Sequence, residues 1–427
     1  MSLRSALESG KFVVTAEVGP PKGIELDEVL ECARLLRGRV DGVNVTDLQS
    51  SILRLGSLAT CHILKEQGLE PILQITCRDR NRLALQSDLL SAALLGIENV
   101  LVLTGDYPLL GDHPQAKPVF DLDSVQLLWV LRKMQEGYDA VGNRLQGKPS
   151  FFVGAVVNTG VDSEAALELQ ILKMEKKIDQ GARFFQTQVI FDVKRFRRFM
   201  ERVNGRRVPI LAGIMLLKSA RMARYMNENV PGVFVPEPII KRMARTKDKV
   251  RTAIEIAAEL VEEIRPYCQG IHIMSVGWER YIPDLLDALG VEPQLATVMV
   301  IDRDVHFLDF VSRALSSSRC SVVGITQSSE VLRRLQAQPA DLIILGTLER
   351  PDEAPRLCRL LKAHPAFEDI PILVADVSRE RLGGTGWRRE DGLSMEADDY
   401  VVRPITEEEL TERVRALLGW KGSALAI

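Results

Sequence analysis

Eight short apolar runs, rich in Val, Ile and Phe, recur through the first 290 residues, and a stretch with helical spacing separates each from the next. They are Phe12–Glu17, Val40–Asp47, Pro71–Cys77, Asn99–Asp106, Phe151–Asn158, Ala182–Gln188, Val208–Met215 and Gly270–Val276. Runs that are apolar on both faces fit parallel strands covered by helices on one side and packed on the other. The intervening segments are amphipathic; in the last, Val250, Ile254, Ala257, Val261 and Ile264 mark one helical face. Eight strands alternating with helices point to one closed (β/α)8, or TIM, barrel. A doubly wound sheet would place a Gly-rich turn after a strand, and none of the runs leads into G-x-G-x-x-G.

A second α/β pattern follows. Val291–Glu292–Pro293–Gln294–Leu295 reads as a linker, placed at 291–296. From 297 to 420, five runs alternate with helices: Val298–Ile301, Ser321–Ile325, Leu342–Leu345, Ile372–Ala375 and Tyr400–Val402. That spacing fits a flavodoxin-like doubly wound sheet, with residues 421–427 left as a tail. A chain of 427 residues exceeds one ordinary core, so a barrel of 1–290 and a smaller second domain share it naturally.

Composition narrows the partners. A net charge of −3 gives no field for nucleic acid, and no run is long enough to span a membrane. The six cysteines are scattered without a C-x-x-C pair, and the five histidines form no H-E-x-x-H, so no metal site is expected. The N-terminus lacks a long apolar core, and reduced thiols fit a cytoplasmic protein. Gly142–Lys148 has P-loop spacing, but Pro149 replaces the Ser/Thr and a strand follows it, so it reads as a surface loop.

In a barrel of this kind the site lies at the carboxyl ends of the strands. Read there, the chain offers Glu17, Thr46 with Asp47, Thr76, Asp106, Asn158 and Gln188. Carboxylates and amides gathered at one mouth suit proton transfer and hydrogen bonding to a polar heterocycle. A nucleophile–base pair is not expected, because Cys77 alone among Cys and His joins these ends. Asp47 and Asn158 suit helix N-caps equally well; Glu17, running into Gly19–Pro20–Pro21, does not.

Thr15–Pro21, Gln74–Cys77, Leu103–Pro108, Lys177–Ala182 and Gln186–Asp192 match, in order, blocks of the methylenetetrahydrofolate reductase family, which residues 1–290 resemble. The resemblance implies an oxidoreductase acting on CH–NH donors: a flavoprotein that reduces 5,10-methylenetetrahydrofolate to 5-methyltetrahydrofolate in one-carbon metabolism. It implies Glu17 as general acid, Asp106 as the carboxylate beside the flavin and the cationic intermediate, and Gln188 as a folate ligand. Glu17 would have to keep its proton near neutral pH, which burial favours. By the same resemblance Thr46, Gln74, Thr76, Gly105, Asp106, Phe120, Asp121, Asn158 and Lys177 would bind the flavin. FAD is the expected form, with FMN as the alternative, because Gln74, Thr104 and Val156 depart from the best-known bacterial branch. The electron donor would be NAD(P)H or a redox partner protein, and the assembly a homo-oligomer or hetero-complex.

Residues 297–420 resemble a response-regulator receiver domain. Asp302–Arg303–Asp304 stands at the acidic pair that binds magnesium, with Arg303 in an acidic place. Gly346 ends the third strand where the phosphoacceptor Asp belongs, Arg403 replaces the usual Lys, and Asp376 falls near the switch Ser/Thr. The resemblance implies a receiver that cannot be phosphorylated and that serves regulation or docking. Two further readings stand beside the enzyme: a scaffold whose barrel has lost activity, and an electron-transfer subunit active only in a partner complex.

Overall fold

The alternation of side chains along each strand decides what the barrel encloses. A computed structural model describes residues 2–203, 208–291, 296–316, 320–350, 352–377 and 397–418, and the chain divides into two compact units, Met1–Glu292 and Pro293–Ile427. Residues 292–295 of the expected linker and the tail 421–427 lie outside the described residues.

The first unit is a closed, all-parallel barrel of β1 (Val13–Val18), β2 (Gly42–Val45), β3 (Pro71–Thr76), β4 (Asn99–Leu103), β5 (Phe152–Val157), β6 (Phe184–Val189), β7 (Ile210–Met215) and β8 (Gly270–Met274). The strands pair in sequence order, and β8 closes on β1 from Val13↔Gly270 to Ala16↔Ile273. Most strands end earlier than the apolar runs implied. Thr46 and Asp47 follow β2, Asp106 lies in the loop after β4, and Asn158 follows β5. Glu17 and Gln188 are exceptions: β1 and β6 each run one residue past them.

Outward residues such as Ala16, Val43, Ile75, Val102, Ala155, Phe185, Ile214 and Ile273 pack against the surrounding helices in one large core. A separate cluster fills the barrel's amino-terminal end with Val13, Ile72, Leu101, Phe152, Phe184 and Leu211. A helix not anticipated from the sequence, Leu3–Glu8, closes that end by burying Leu3, Ala6 and Leu7 in the same cluster. Above this layer the interior turns polar. Asn44 of β2 and Gln186 of β6 are buried and exchange two hydrogen bonds across the barrel, 2.8 and 3.0 Å. The helix Lys249–Ile264 buries Ala253, Ile256, Ala257, Leu260, Val261 and Ile264, so Val250 and Ile254 flank its buried stripe rather than centre it.

The second unit is a five-stranded parallel sheet of β9 (Ala296–Ile301), β10 (Cys320–Ile325), β11 (Leu342–Leu345), β12 (Ile372–Val377) and β13 (Asp399–Arg403), in the order β10-β9-β11-β12-β13. This is a doubly wound sheet with an apolar core on each face. Among the described residues no helix is long and apolar enough to cross a membrane.

Candidate active site

Inward positions at the carboxyl ends of the strands open into a cavity of about 640 Å³. Glu17, Gln74, Thr76, Gly105, Asp106, Asn158, Lys177 and Gln188 line it, as do Asp47, Gln49, Arg78, Thr187 and His272. Its apolar wall comes from Leu101, Leu103, Val156 and Met274.

Glu17 is 7% exposed, and its two oxygens have different neighbours. Oε1 accepts from the Gln49 side-chain amide at 3.0 Å, and Oε2 lies 3.7 Å from Nε2 of the buried His272. The second distance is within ion-pair range but beyond a hydrogen bond. His272 Nδ1 lies 3.1 Å from Thr15 Oγ1, which also reaches the Ile271 carbonyl at 3.3 Å. A histidine therefore does join the ring of site residues, against the sequence expectation. Its signal was the two-residue period of Gly270-Ile271-His272-Ile273-Met274, which puts residues 272 and 274 on one face. Cys77 is turned the other way: fully buried in the outer core, its thiol is pushed up to about 12 by burial, with Asp123 adding to the effect.

Asp47 and Asn158 do not cap helices. Asp47 Oδ2 accepts from the backbone N–H (2.8 Å) and hydroxyl (2.9 Å) of Thr76 and pairs with Arg80, tying the end of β2 to β3. Asn158 accepts from Gly160 N–H at 3.0 Å and donates to the Pro231 carbonyl at 3.3 Å, while Ser163 caps the next helix, Glu164–Asp179. From that helix Lys177 reaches back to donate to the Val156 carbonyl at 2.7 Å. Burial, helped by neighbouring Lys173, brings its ammonium down to about 8.

A family model described as methylenetetrahydrofolate reductase matches residues 2–290. The chain belongs to the methylenetetrahydrofolate reductase family. It is similar to methylenetetrahydrofolate reductase 2 of Schizosaccharomyces pombe, 24% identical over 238 residues, covering 51% of this chain and 35% of that one. It is likewise similar to 5,10-methylenetetrahydrofolate reductase of Pectobacterium carotovorum, 26% identical over 232 residues, covering 52% and 71%. A further similarity is to the phosphate regulon transcriptional regulatory protein PhoB of Rhizobium meliloti, 36% identical over 124 residues, covering 29% and 52%. The chain thus spans 35%, 71% and 52% of the length of these three curated relatives. A reductase-family barrel joined to a receiver-like unit accounts for both sets.

Of the residues expected to bind the flavin, three stand apart from the cavity lining. Thr46 is 2% exposed behind it. Phe120 is half-buried, takes a φ of +40°, and stacks on Tyr107 at 6.1 Å. Asp121 holds Arg82 through Nε and a terminal nitrogen, both at 2.9 Å, and through its backbone N–H at 2.8 Å. Those bonds hold its carboxyl down to about 2. Gln188 lies in the cavity, and its Oε1 accepts from the Val189 N–H at 3.1 Å. The ladder between β6 and β7 shifts register between Gln186 and Val189, an irregularity of the kind that re-aims a side chain beside a site.

In the receiver-like unit the space beside Gly346 is filled. Asp302 is fully buried and pairs with Arg403, whose guanidinium also donates to the Ala375 carbonyl at 2.8 and 3.1 Å and lies 3.5 Å from the centre of the Phe307 ring. A Cβ at Gly346 would come 1.9 Å from Asp302 Oδ2 and 2.5 Å from an Arg403 nitrogen. Asp304 caps the helix Val305–Ala314 by accepting from His306 N–H at 3.0 Å. Both acidic groups are therefore engaged within the fold. The side chain of Asp376 lies outside the described residues.

Proposed function

We propose that the barrel reduces 5,10-methylenetetrahydrofolate to 5-methyltetrahydrofolate using a bound flavin, FAD in preference to FMN. The observation that carries this is the placement of Glu17: a buried carboxylate beside His272 and Gln49, in one cavity with Asp106 and Gln188. A buried carboxylate is costly unless it is paired or hydrogen-bonded, and here Gln49 and His272 are placed to do so at the cavity wall.

The cavity's donor set fits a flavin. Gln74 and Asn158 offer hydrogen bonds to a ring edge or sugar chain, Thr76, whose hydroxyl hydrogen goes to Asp47, offers an acceptor, and Lys177 offers a cation for a phosphate. Leu101, Leu103 and Val156 offer an apolar wall for a flat ring. Gly105, at φ +92°, leaves room where a Cβ would come within 3.1 Å of both Thr76 and Arg78. When bound there, the flavin supplies the hydride.

Ring opening of the substrate to an iminium needs a proton on a ring nitrogen, and Glu17 is the group we assign to give it. Gln49 holds one oxygen, leaving the other turned toward His272. Thr15 fixes the imidazole from behind, so His272 stays within ion-pair range of the charge that Glu17 carries once its proton is given. Asp106 stabilises the cationic iminium, and Gln188 orients the pterin. The receiver-like unit we assign to docking or regulation without phosphorylation. The domain limits expected with this reading are 1–290, a linker at 291–296, and 297–420, with β9 beginning one residue early at Ala296.

The test is the spectrum of the purified protein. It should be yellow, and anaerobic methyltetrahydrofolate should bleach the flavin band. A protein that takes up neither FAD nor FMN would sink the proposal.

A further inference from the structure

We infer that Arg78 is a positioning residue for proton transfer, because it ties together the two loops that carry Gln49 and Asp106. The inference rests on the acid role proposed for Glu17.

Arg78 is among the largest fully buried side chains described, at 2% exposure, and it borders the cavity. A buried guanidinium survives only if its donors are satisfied, and where they point is informative. Nε and one terminal nitrogen hold the neighbouring Asp79 carboxylate at 2.9 and 2.7 Å, which balances the charge. The remaining bonds go to the two loops. One terminal nitrogen donates to the Leu48 carbonyl at 3.1 Å. The other donates to Ser51 Oγ at 3.0 Å and to the Asp106 carbonyl at 3.3 Å. Ser51 Oγ in turn lies 3.1 Å from the Asp106 carbonyl oxygen and 3.2 Å from that of Tyr107.

The first loop needs such an anchor. Leu48, Ser50 and Ser51 all have left-handed φ, +47°, +55° and +58°, a conformation that L side chains avoid. Gln49 sits between them and is itself exposed, yet its amide is the donor to Glu17 Oε1. No short-range periodicity holds that amide in place; the loop's distorted path does. Arg78 grips that path on both sides of Gln49 and grips Asp106 by its main chain. One cation therefore sets the approach of a hydrogen-bond donor to Glu17 and the position of the carboxylate that faces the folate.

The test uses the full chain loaded with FAD and compares Arg78→Met, Gln49→Ala and the double variant. Each is mixed anaerobically with methyltetrahydrofolate and followed by flavin bleaching, with dithionite as a control for reducible flavin. Hydrogen–deuterium exchange is measured on residues 48–53 and 105–111. Gln49→Ala should slow folate-driven bleaching by up to about 10²-fold at unchanged half-saturating folate, the size expected when a catalytic group loses its positioning. Arg78→Met should slow it at least as much, and the double variant should be no slower than Arg78→Met, because the two act through one path. Exchange should rise in both segments of Arg78→Met. Additive losses in the double variant, unchanged exchange, or wild-type bleaching in Arg78→Met would each overturn the inference. If the wild-type flavin responds to dithionite but not to folate, the proposed activity falls instead, and exchange in the two segments still decides the anchoring. Should Arg78→Met fail to fold, Arg78→Lys, which keeps the cation but not the fork, carries the same comparisons with the same deciding outcomes.

Discussion

Glu17 Oε2 and His272 Nε2 face each other at 3.7 Å from the first and last strands of the barrel, at the seam where β8 closes on β1. The pair is long-range in sequence and exists only because the barrel is closed. It makes the chemistry of the mouth depend on the completeness of the fold.

Replacing Glu17 with Gln should keep the fold and the flavin while removing the proton. Folate-driven flavin bleaching should fall by about 10²–10⁴-fold, the usual worth of a positioned acid. Stopped-flow absorbance against methyltetrahydrofolate measures this directly, and comparable rates in the two proteins would take Glu17 out of the acid role.

The Asn44–Gln186 pair makes a stability prediction. Gln186→Leu leaves the buried Asn44 amide without its partner and should cost about 1–3 kcal/mol in urea unfolding. Adding Asn44→Leu removes the orphaned amide, so the double variant should recover part of the loss. A double variant less stable than the single one would show that shape, not polarity, holds the two positions.

Lys177 makes a pH prediction. Burial lowers its ammonium from 10.5 to about 8, so the unfolded chain binds the proton more tightly than the folded one. The resulting penalty is fully present below pH 8 and fades as pH rises from about 8 toward 10.5. Lys177→Met should therefore gain more, or lose less, melting temperature relative to wild type at pH 7 than at pH 10. Its affinity for FAD should drop if the cation faces a phosphate. Equal shifts in melting temperature at both pH values would contradict the burial argument.

Gly346→Asp should not restore a phosphoacceptor. The new Cβ meets Asp302 and Arg403 at 1.9 and 2.5 Å, so the variant should melt lower and gain no mass with acetyl phosphate. Phosphorylation of that single variant would show that the Asp302–Arg403 pair yields readily.

The eight strands were legible because each is buried on both faces and carries that burial in its own composition. The helix Leu3–Glu8 was not, since six residues hold less than two turns of periodic signal. At the site, looking only at strand ends found Glu17, Thr76, Asp106 and Gln188 but overlooked His272, which projects from mid-strand. Arg78 and Gln49 escaped for another reason. Charged and amide residues in a loop give no sign of burial or direction, and only the tertiary path of the 48–51 turn makes them neighbours of the cavity. Asp47 and Asn158, each open to two readings, turned out to bind neighbouring segments through side-chain bonds that no local pattern encodes.

The Asp302–Arg403 pair has a consequence beyond the loss of an acceptor. In a two-state switch, the resting form keeps a place open for a charge that arrives later. Here the Asp302–Arg403 ion pair, which bridges the ends of β9 and β13, already occupies the space over Gly346 once the sheet has formed. The docking role proposed for this unit would then answer to what binds it rather than to a phosphoryl group.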